Sequence, residues 1–171
     1  MEFYTVNTDY VNYLRKHEPR IWVNKENGRL RPYVGVVLTV NGNKYYAALS
    51  SPKPKHDKMK ERLDFIRLED EKNQLRAVLN LNNIIPVDDS LITKLNVKSI
   101  KDDTYRHLLR IELIDIRRKQ SIISKKAHII YTRTTKHRDD PKNKSLVALS
   151  YDFLLLEQKL REYLKQKPSK K

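Results

Sequence analysis

The chain has no cysteine, which removes disulfides, thiolate metal sites and a thiol nucleophile together. Its five histidines, His17, His56, His107, His128 and His137, include no pair at the i, i+4 spacing of a helical zinc site, so neither a metal nor a cofactor is expected. No apolar run approaches the ~18 residues that a membrane span needs. The opening Met1-Glu2-Phe3-Tyr4-Thr5-Val6 lacks a basic segment ahead of an apolar one. These absences predict a cytoplasmic protein without a membrane partner. Neither a 20- to 50-residue repeat nor the spacing of a helix-turn-helix or zinc finger is present.

Acidic residues are also in short supply. Against 21 Asp and Glu stand 36 Lys and Arg, a formal charge of +15. Such an excess calls for a polyanion, and nucleic acid fits because each neutralised phosphate releases condensed counterions. What is present is enough for a core: 39% of the residues are hydrophobic beside 33% charged. The 171 residues are read as one domain spanning 1–171, which at that size buries roughly 70% of its unfolded surface. The tail 167–171 is expected to be disordered.

Period changes along the chain. Phe3 to Val6 reads as a strand, followed by a short helix capped by Thr8 or Asp9 that carries Tyr10, Tyr13 and Leu14. Tyr33 to Val40 and Lys44 to Leu49 flank Asn41-Gly42, the strongest hairpin signal here. Leu63 to Leu68 and Leu75 to Leu81 predict two further strands around the turn Glu69 to Asn73. Apolar residues then recur at helical spacing in three segments, around Leu108 to Ile116, Ile122 to Ile130 and Phe153 to Leu164. His137 to Lys144 reads as an exposed loop. The resulting class is α+β, an antiparallel sheet flanked by three helices.

The stretch Leu49-Ser50-Ser51-Pro52-Lys53-Pro54-Lys55-His56 sets two hydroxyls, two cations and an imidazole directly after a strand. Prolines 52 and 54 stiffen it. Cleavage of RNA without a metal needs help for the attacking 2′-hydroxyl, a proton donor for the leaving 5′-oxygen, and positive charge against the phosphorane. Ser50, Ser51, Lys53 and Lys55 offer such groups, and His56 titrates near neutrality. The same residues also make an ordinary polar hairpin exit. Tyr10, Tyr33, Tyr45 and Tyr46 suit base stacking or core packing, and because Tyr45 and Tyr46 alternate along a strand only one can line a given groove. From Arg117 to Arg138 there are eight Lys or Arg and no acid. Arg117, Arg118, Lys125 and Lys126 are therefore candidates for tracking a nucleic-acid backbone, with a solvated helix face as the alternative.

Six ordered landmarks carry a resemblance over nearly the whole chain. They are Phe3-Tyr4-Thr5-Val6 with Tyr10 and Tyr13-Leu14, Arg31-Pro32-Tyr33-Val34-Gly35-Val36-Val37-Leu38, Leu49-Ser50-Ser51-Pro52-Lys53, Asn80 to Val87, Tyr105-Arg106-His107-Leu108-Leu109-Arg110, and Ser150-Tyr151-Asp152-Phe153. Together they resemble the ToxN/AbiQ family of type III toxins. The resemblance implies a twisted antiparallel sheet similar to the MazF/Kid toxin fold. It further implies a metal-independent endoribonuclease leaving 2′,3′-cyclic phosphate and 5′-hydroxyl ends, acting in abortive infection against phage. The implied partners are single-stranded RNA substrates and a repeat-derived pseudoknot RNA antitoxin, which inhibits the toxin in a protein–RNA hetero-oligomer. Carried over by position, Ser51 matches the family's essential serine, Lys53 its lysine after proline, Ser50 a position that is often threonine, and Tyr10 its N-terminal site tyrosine. Arg31 lies near an expected basic residue, whereas Lys55 stands where members carry an aromatic. Arg31, Tyr33, Lys55 and His56 join the helix cations as candidate RNA contacts. Two readings compete with the nuclease: a non-catalytic basic RNA-binding protein, and a peripheral membrane or DNA-binding module.

Overall fold

A computed structural model describes residues 1–26 and 28–166; the expectation for the tail 167–171 lies outside the described residues. In chain order the elements are β1 (Glu2–Val6), α1 (Thr8–His17), β2 (Lys25–Glu26), β3 (Arg29–Leu30), β4 (Tyr33–Val40), β5 (Asn43–Ser50), β6 (Phe65–Glu69), β7 (Leu75–Asn80), β8 (Ile85–Pro86), β9 (Ile92–Lys94), α2 (Asp103–Thr134), α3 (Lys144–Leu149) and α4 (Phe153–Gln166). One sheet runs β6-β7-β5-β4-β1-β9, with β8 also pairing on β5. Its pairings are all antiparallel, and β2 and β3 form a separate two-stranded ribbon.

The β4–β5 hairpin forms where the Asn41-Gly42 signal places it. Asn41 and Gly42 take φ of 49° and 76°, the left-handed pair that a type I′ turn demands and that Gly tolerates best. Glycine has a second duty at Gly35, where an added Cβ would fall 2.1 Å from the Tyr46 ring. The sheet can pack that ring against β4 only because the side chain opposite is missing.

Helix α1 is capped one residue earlier than expected, by Asn7, whose side chain accepts the Tyr10 N–H at 3.0 Å. The larger correction concerns α2. The apolar periodicity predicts two helical segments between Leu108 and Ile130, and the structure has one helix of 32 residues, Asp103–Thr134. Arg117-Arg118-Lys119-Gln120-Ser121 breaks the apolar period but contains no Gly or Pro, so nothing interrupts the backbone ladder. Asp102 caps its start by accepting the Tyr105 N–H at 2.9 Å. The His137 to Lys144 segment is not wholly exposed either. Asn143 is buried, where it accepts from Arg133 Nε at 2.6 Å and donates to the His137 carbonyl at 2.8 Å.

Helix α2 packs across β4, β6 and β7, while α4 packs on β8 and α1. Between sheet and helices lies a tyrosine-rich core. Glu157 of α4 accepts hydrogen bonds from Tyr45 of β5 at 2.7 Å and Tyr131 of α2 at 2.9 Å. Burial, then the bond to Glu157, pushes the Tyr45 hydroxyl well above the ordinary range and that of Tyr131 up to about 12. Both phenols therefore stay protonated and donate.

Candidate active site

Strand β5 ends against β7, with Leu49 opposite Leu79 and Ser50 opposite Val78. The ladder stops there, so Ser51 leaves the sheet and is exposed while Ser50 stays half-buried. Beyond it, Pro54–Lys58 forms a short 3-10 turn. That turn is fastened from inside. The Lys53 N–H donates to His56 Nδ1 at 3.0 Å and the His56 N–H to the Lys53 carbonyl at 2.7 Å. From β6, the Arg67 guanidinium donates to the carbonyls of His56 at 2.7 Å and Met59 at 2.8 Å. Glu69 holds Arg67 in turn, at 2.8 Å.

His56 thus faces inward, 6% exposed, its ring 5.4 Å from that of Phe65. Burial lowers its pKa, and the cations of Lys55 and Lys53 add to the effect. A neutral ring whose Nδ1 accepts must carry its proton on Nε2. Arg31 is a second fastener: 7% exposed, it donates to the Leu49 carbonyl at 3.1 Å and the Val23 carbonyl at 3.3 Å, over the Trp22 ring at 5.0 Å. Two of the expected RNA contacts, His56 and Arg31, therefore sit behind the loop. Ser51, Lys53 and Lys55 are presented on its outer side.

Beside the loop opens a cleft of about 100 Å3, lined among others by Arg29, Arg31, Ser50, Ser51, Tyr105 and Glu112. The Arg29 guanidinium lies 4.4 Å over the Tyr105 ring and bonds Asp102 at 2.7 Å. Glu112, on α2, is 2% exposed. Its Oε2 has no hydrogen-bond partner among the described residues. Burial pushes this carboxyl up to about 8, against the pull of the Arg76 cation, so it is mostly uncharged at neutral pH.

Two expected site residues are not brought to the cleft. Tyr10 is fully buried; its hydroxyl donates to the Pro86 carbonyl at 2.7 Å and its ring packs 5.2 Å from Tyr163. Tyr33 is 2% exposed, with burial raising its hydroxyl to about 12. Both fill the core, and neither ring has a face open to RNA. Glu112, Arg29 and the packing of Tyr105 were the residues missed. For Glu112 a signal existed: it falls on the stripe Leu108, Leu109, Ile116, whose spacing marks the buried face of α2.

The basic run on α2 is less bare than its sequence. Arg117 pairs with Glu2 and Arg118 with Asp115. Lys119 reaches Asp115 at 3.1 Å and the Arg67 carbonyl at 2.7 Å, and Lys126 reaches the Arg62 carbonyl at 2.8 Å and Glu61 at 3.7 Å. Most of these acids come from β1 and the segment before β6, so a window along the helix could not show them. Lys125 is exposed, beside His128 on the rim of an open groove over Val36 to Thr39.

Comparison with known proteins places the whole chain in one family. A family model described as "Toxin ToxN, type III toxin-antitoxin system" matches residues 2–161. An endoribonuclease ToxN of Bacillus thuringiensis subsp. kurstaki is 28% identical over 99% of this chain and 87% of its own length. Endoribonuclease AbiQ of Lactococcus lactis subsp. lactis is 32% identical over 97% of this chain and 91% of its own. A solved structure concerned with selective toxin inhibition by a non-coding RNA pseudoknot superposes with a TM-score of 0.85 at 28% identity, covering 97% of this chain and 98% of that one.

Proposed function

Because the chain belongs to the ToxN family of type III toxin–antitoxin toxins, we propose that it is an endoribonuclease of the bacterial cytoplasm that cuts single-stranded RNA at the Ser50–Ser51 loop. The observation that carries this reading is the loop itself. Ser51, Lys53 and Lys55 are held outward beside a cleft by two buried fasteners, Arg31 and His56. Relatives at 28% and 32% identity bear the name endoribonuclease, and the inhibited neighbour supports an RNA antitoxin that fills the same surface and silences it.

The reaction is an internal transfer. The 2′-oxygen of one nucleotide bonds to the adjacent phosphorus, the bond from phosphorus to the 5′-oxygen breaks, and the products carry a 2′,3′-cyclic phosphate and a 5′-hydroxyl. One proton leaves the 2′-hydroxyl and one arrives on the departing 5′-oxygen. The Ser51 hydroxyl donates to a non-bridging phosphate oxygen, and the ammonium groups of Lys53 and Lys55 offset the charge of the phosphorane. Neutral His56 keeps Lys53 in place. No metal enters these steps.

Incubation of a defined single-stranded RNA with the purified chain and with Ser51→Ala, both in excess EDTA, tests the reading. Cuts with cyclic phosphate ends are expected, slowed ~10²–10³-fold in the variant, the scale of one lost transition-state donor. Intact RNA in both arms after removal of any bound nucleic acid would leave a basic RNA-binding protein instead.

A further inference from the structure

We propose that His56 is a positioning residue for the cleavage step: its neutral ring clasps Lys53 on the loop, and a proton added at Nδ1 opens the clasp and slows the reaction. This role rests on the nuclease reading above and gives His56 no contact with RNA. Prolines 52 and 54 lack an N–H, so between them the Lys53 amide is the one backbone donor. His56 accepts it on Nδ1 at 3.0 Å and returns its own N–H to the Lys53 carbonyl at 2.7 Å. Both main-chain groups of Lys53 therefore end on a single residue. Arg67 holds that residue from β6, donating to the His56 carbonyl at 2.7 Å and the Met59 carbonyl at 2.8 Å. Glu69 fixes Arg67 at 2.8 Å, and the buried Asp115 of α2 fixes Glu69 by accepting its N–H at 2.8 Å. A line of bonded groups thus runs from the long helix to the Lys53 main chain, and the His56 imidazole is the member whose ordinary titration lies nearest neutrality.

A second proton on the ring is incompatible with the clasp. An imidazolium carries N–H on both nitrogens, so Nδ1–H would face the Lys53 N–H, donor against donor. The new charge would also be buried, against the Phe65 ring and among Lys53 and Lys55 of the loop and Arg67 of β6, with Asp57 of the turn opposing them. Burial first, then Lys55 and Lys53, keep the ring below the ordinary histidine value. The clasp is therefore shut at neutral pH and opens in mild acid. Opening frees the Lys53 main chain, and the ammonium that offsets the phosphorane moves with it. A displacement of ~1 Å at such a place costs up to about 10²-fold in rate. Affinity for RNA, which is spread over many cations, changes little.

Cleavage of a defined single-stranded RNA, timed at saturating and limiting RNA between about pH 5 and 8, separates this from a structural role. The native chain is compared with His56→Asn, which keeps an acceptor near the Nδ1 position but takes no proton, and with His56→Phe, which keeps a ring against Phe65 but no acceptor. On the acid side, kcat of the native chain should fall about tenfold per pH unit, the slope of one proton. In the Asn variant that acid limb should vanish, with the neutral rate within about fivefold of native, the scale of one neutral hydrogen bond. The Phe variant should lose roughly tenfold or more in kcat at every pH, with KM little changed. Thermal melting should show all three folded across the range. An acid limb that survives in the Asn variant, or equal impairment of Asn and Phe, would overturn the clasp. In the Ser51→Ala chain, NMR follows the His56 ring and the Lys53 amide together. The amide should shift, and exchange faster with solvent, over the pH range in which the ring takes its proton; an amide indifferent to that proton would overturn the clasp as well. If none of the chains cuts RNA while ring and amide titrate together, the clasp stands and the nuclease reading falls.

Discussion

At the scale of single residues, Glu112 also leaves a mark on stability. Its carboxyl titrates near ~4.3 in an unfolded chain and at about 8 in the fold. Below both values the two states are equally protonated. Between them the unfolded chain ionises while the folded one does not, so the contribution to stability is lost as pH rises and levels off above about 8. Arg76 on β7 opposes this, and Arg29 and Arg31 share the cleft. Urea unfolding between pH 5 and 8 should therefore show the native chain losing on the order of a few kcal/mol more than Glu112→Leu; parallel curves would contradict the burial argument. The site's outward residues were legible because Ser, Pro and Lys after a strand say "loop" without help from the rest of the chain. Inward residues were not: whether Tyr10, Tyr33, His56 or Arg31 faces solvent is decided by what packs on them from distant segments, such as Pro86 for Tyr10 and the Leu49 carbonyl for Arg31.

Elements declare themselves when one local rule suffices. The β4–β5 hairpin follows from strand alternation and two turn residues, and β6 and β7 lie within two residues of their expected bounds. Helix α2 needed a fact outside its own period, namely that one continuous helix packs on β4 as well as on β6 and β7. The same helix is tied to α4 and β5 by Glu157, which serves two buried phenols. Replacing it with Leu strands both hydroxyls, so Glu157→Leu should cost about 2–4 kcal/mol, roughly the penalty of two unpaired buried groups. Calorimetric or denaturant unfolding checks this, and Tyr45→Phe together with Tyr131→Phe in the Leu background should recover much of the loss.

At the scale of the whole molecule, the charge of +15 is spread unevenly between paired and open cations. Lys55 and Lys125 are exposed, whereas Lys119 and Lys126 are engaged by Asp115, Glu61 and main-chain carbonyls. RNA affinity measured against salt should lose about one unit of log–log slope for a phosphate contact removed. Lys55→Ala and Lys125→Ala are expected to show that loss, and Lys126→Ala much less; identical slopes for all three would mean that the open cations do not track the backbone. Ser50 ends the hairpin that begins, at its other end, with the turn at Asn41 and Gly42. One residue more in that turn would slide β5 by ~3.3 Å along β4 and turn each of its side chains to the opposite face. The β4–β5 register also shifts once between Val34 and Leu38, so the serine turned toward the cleft is set by the count of residues at the far tip together with that irregularity. An insertion in the two-residue turn would therefore disturb the exit of β5 from a distance, without touching any side chain that lines the cleft.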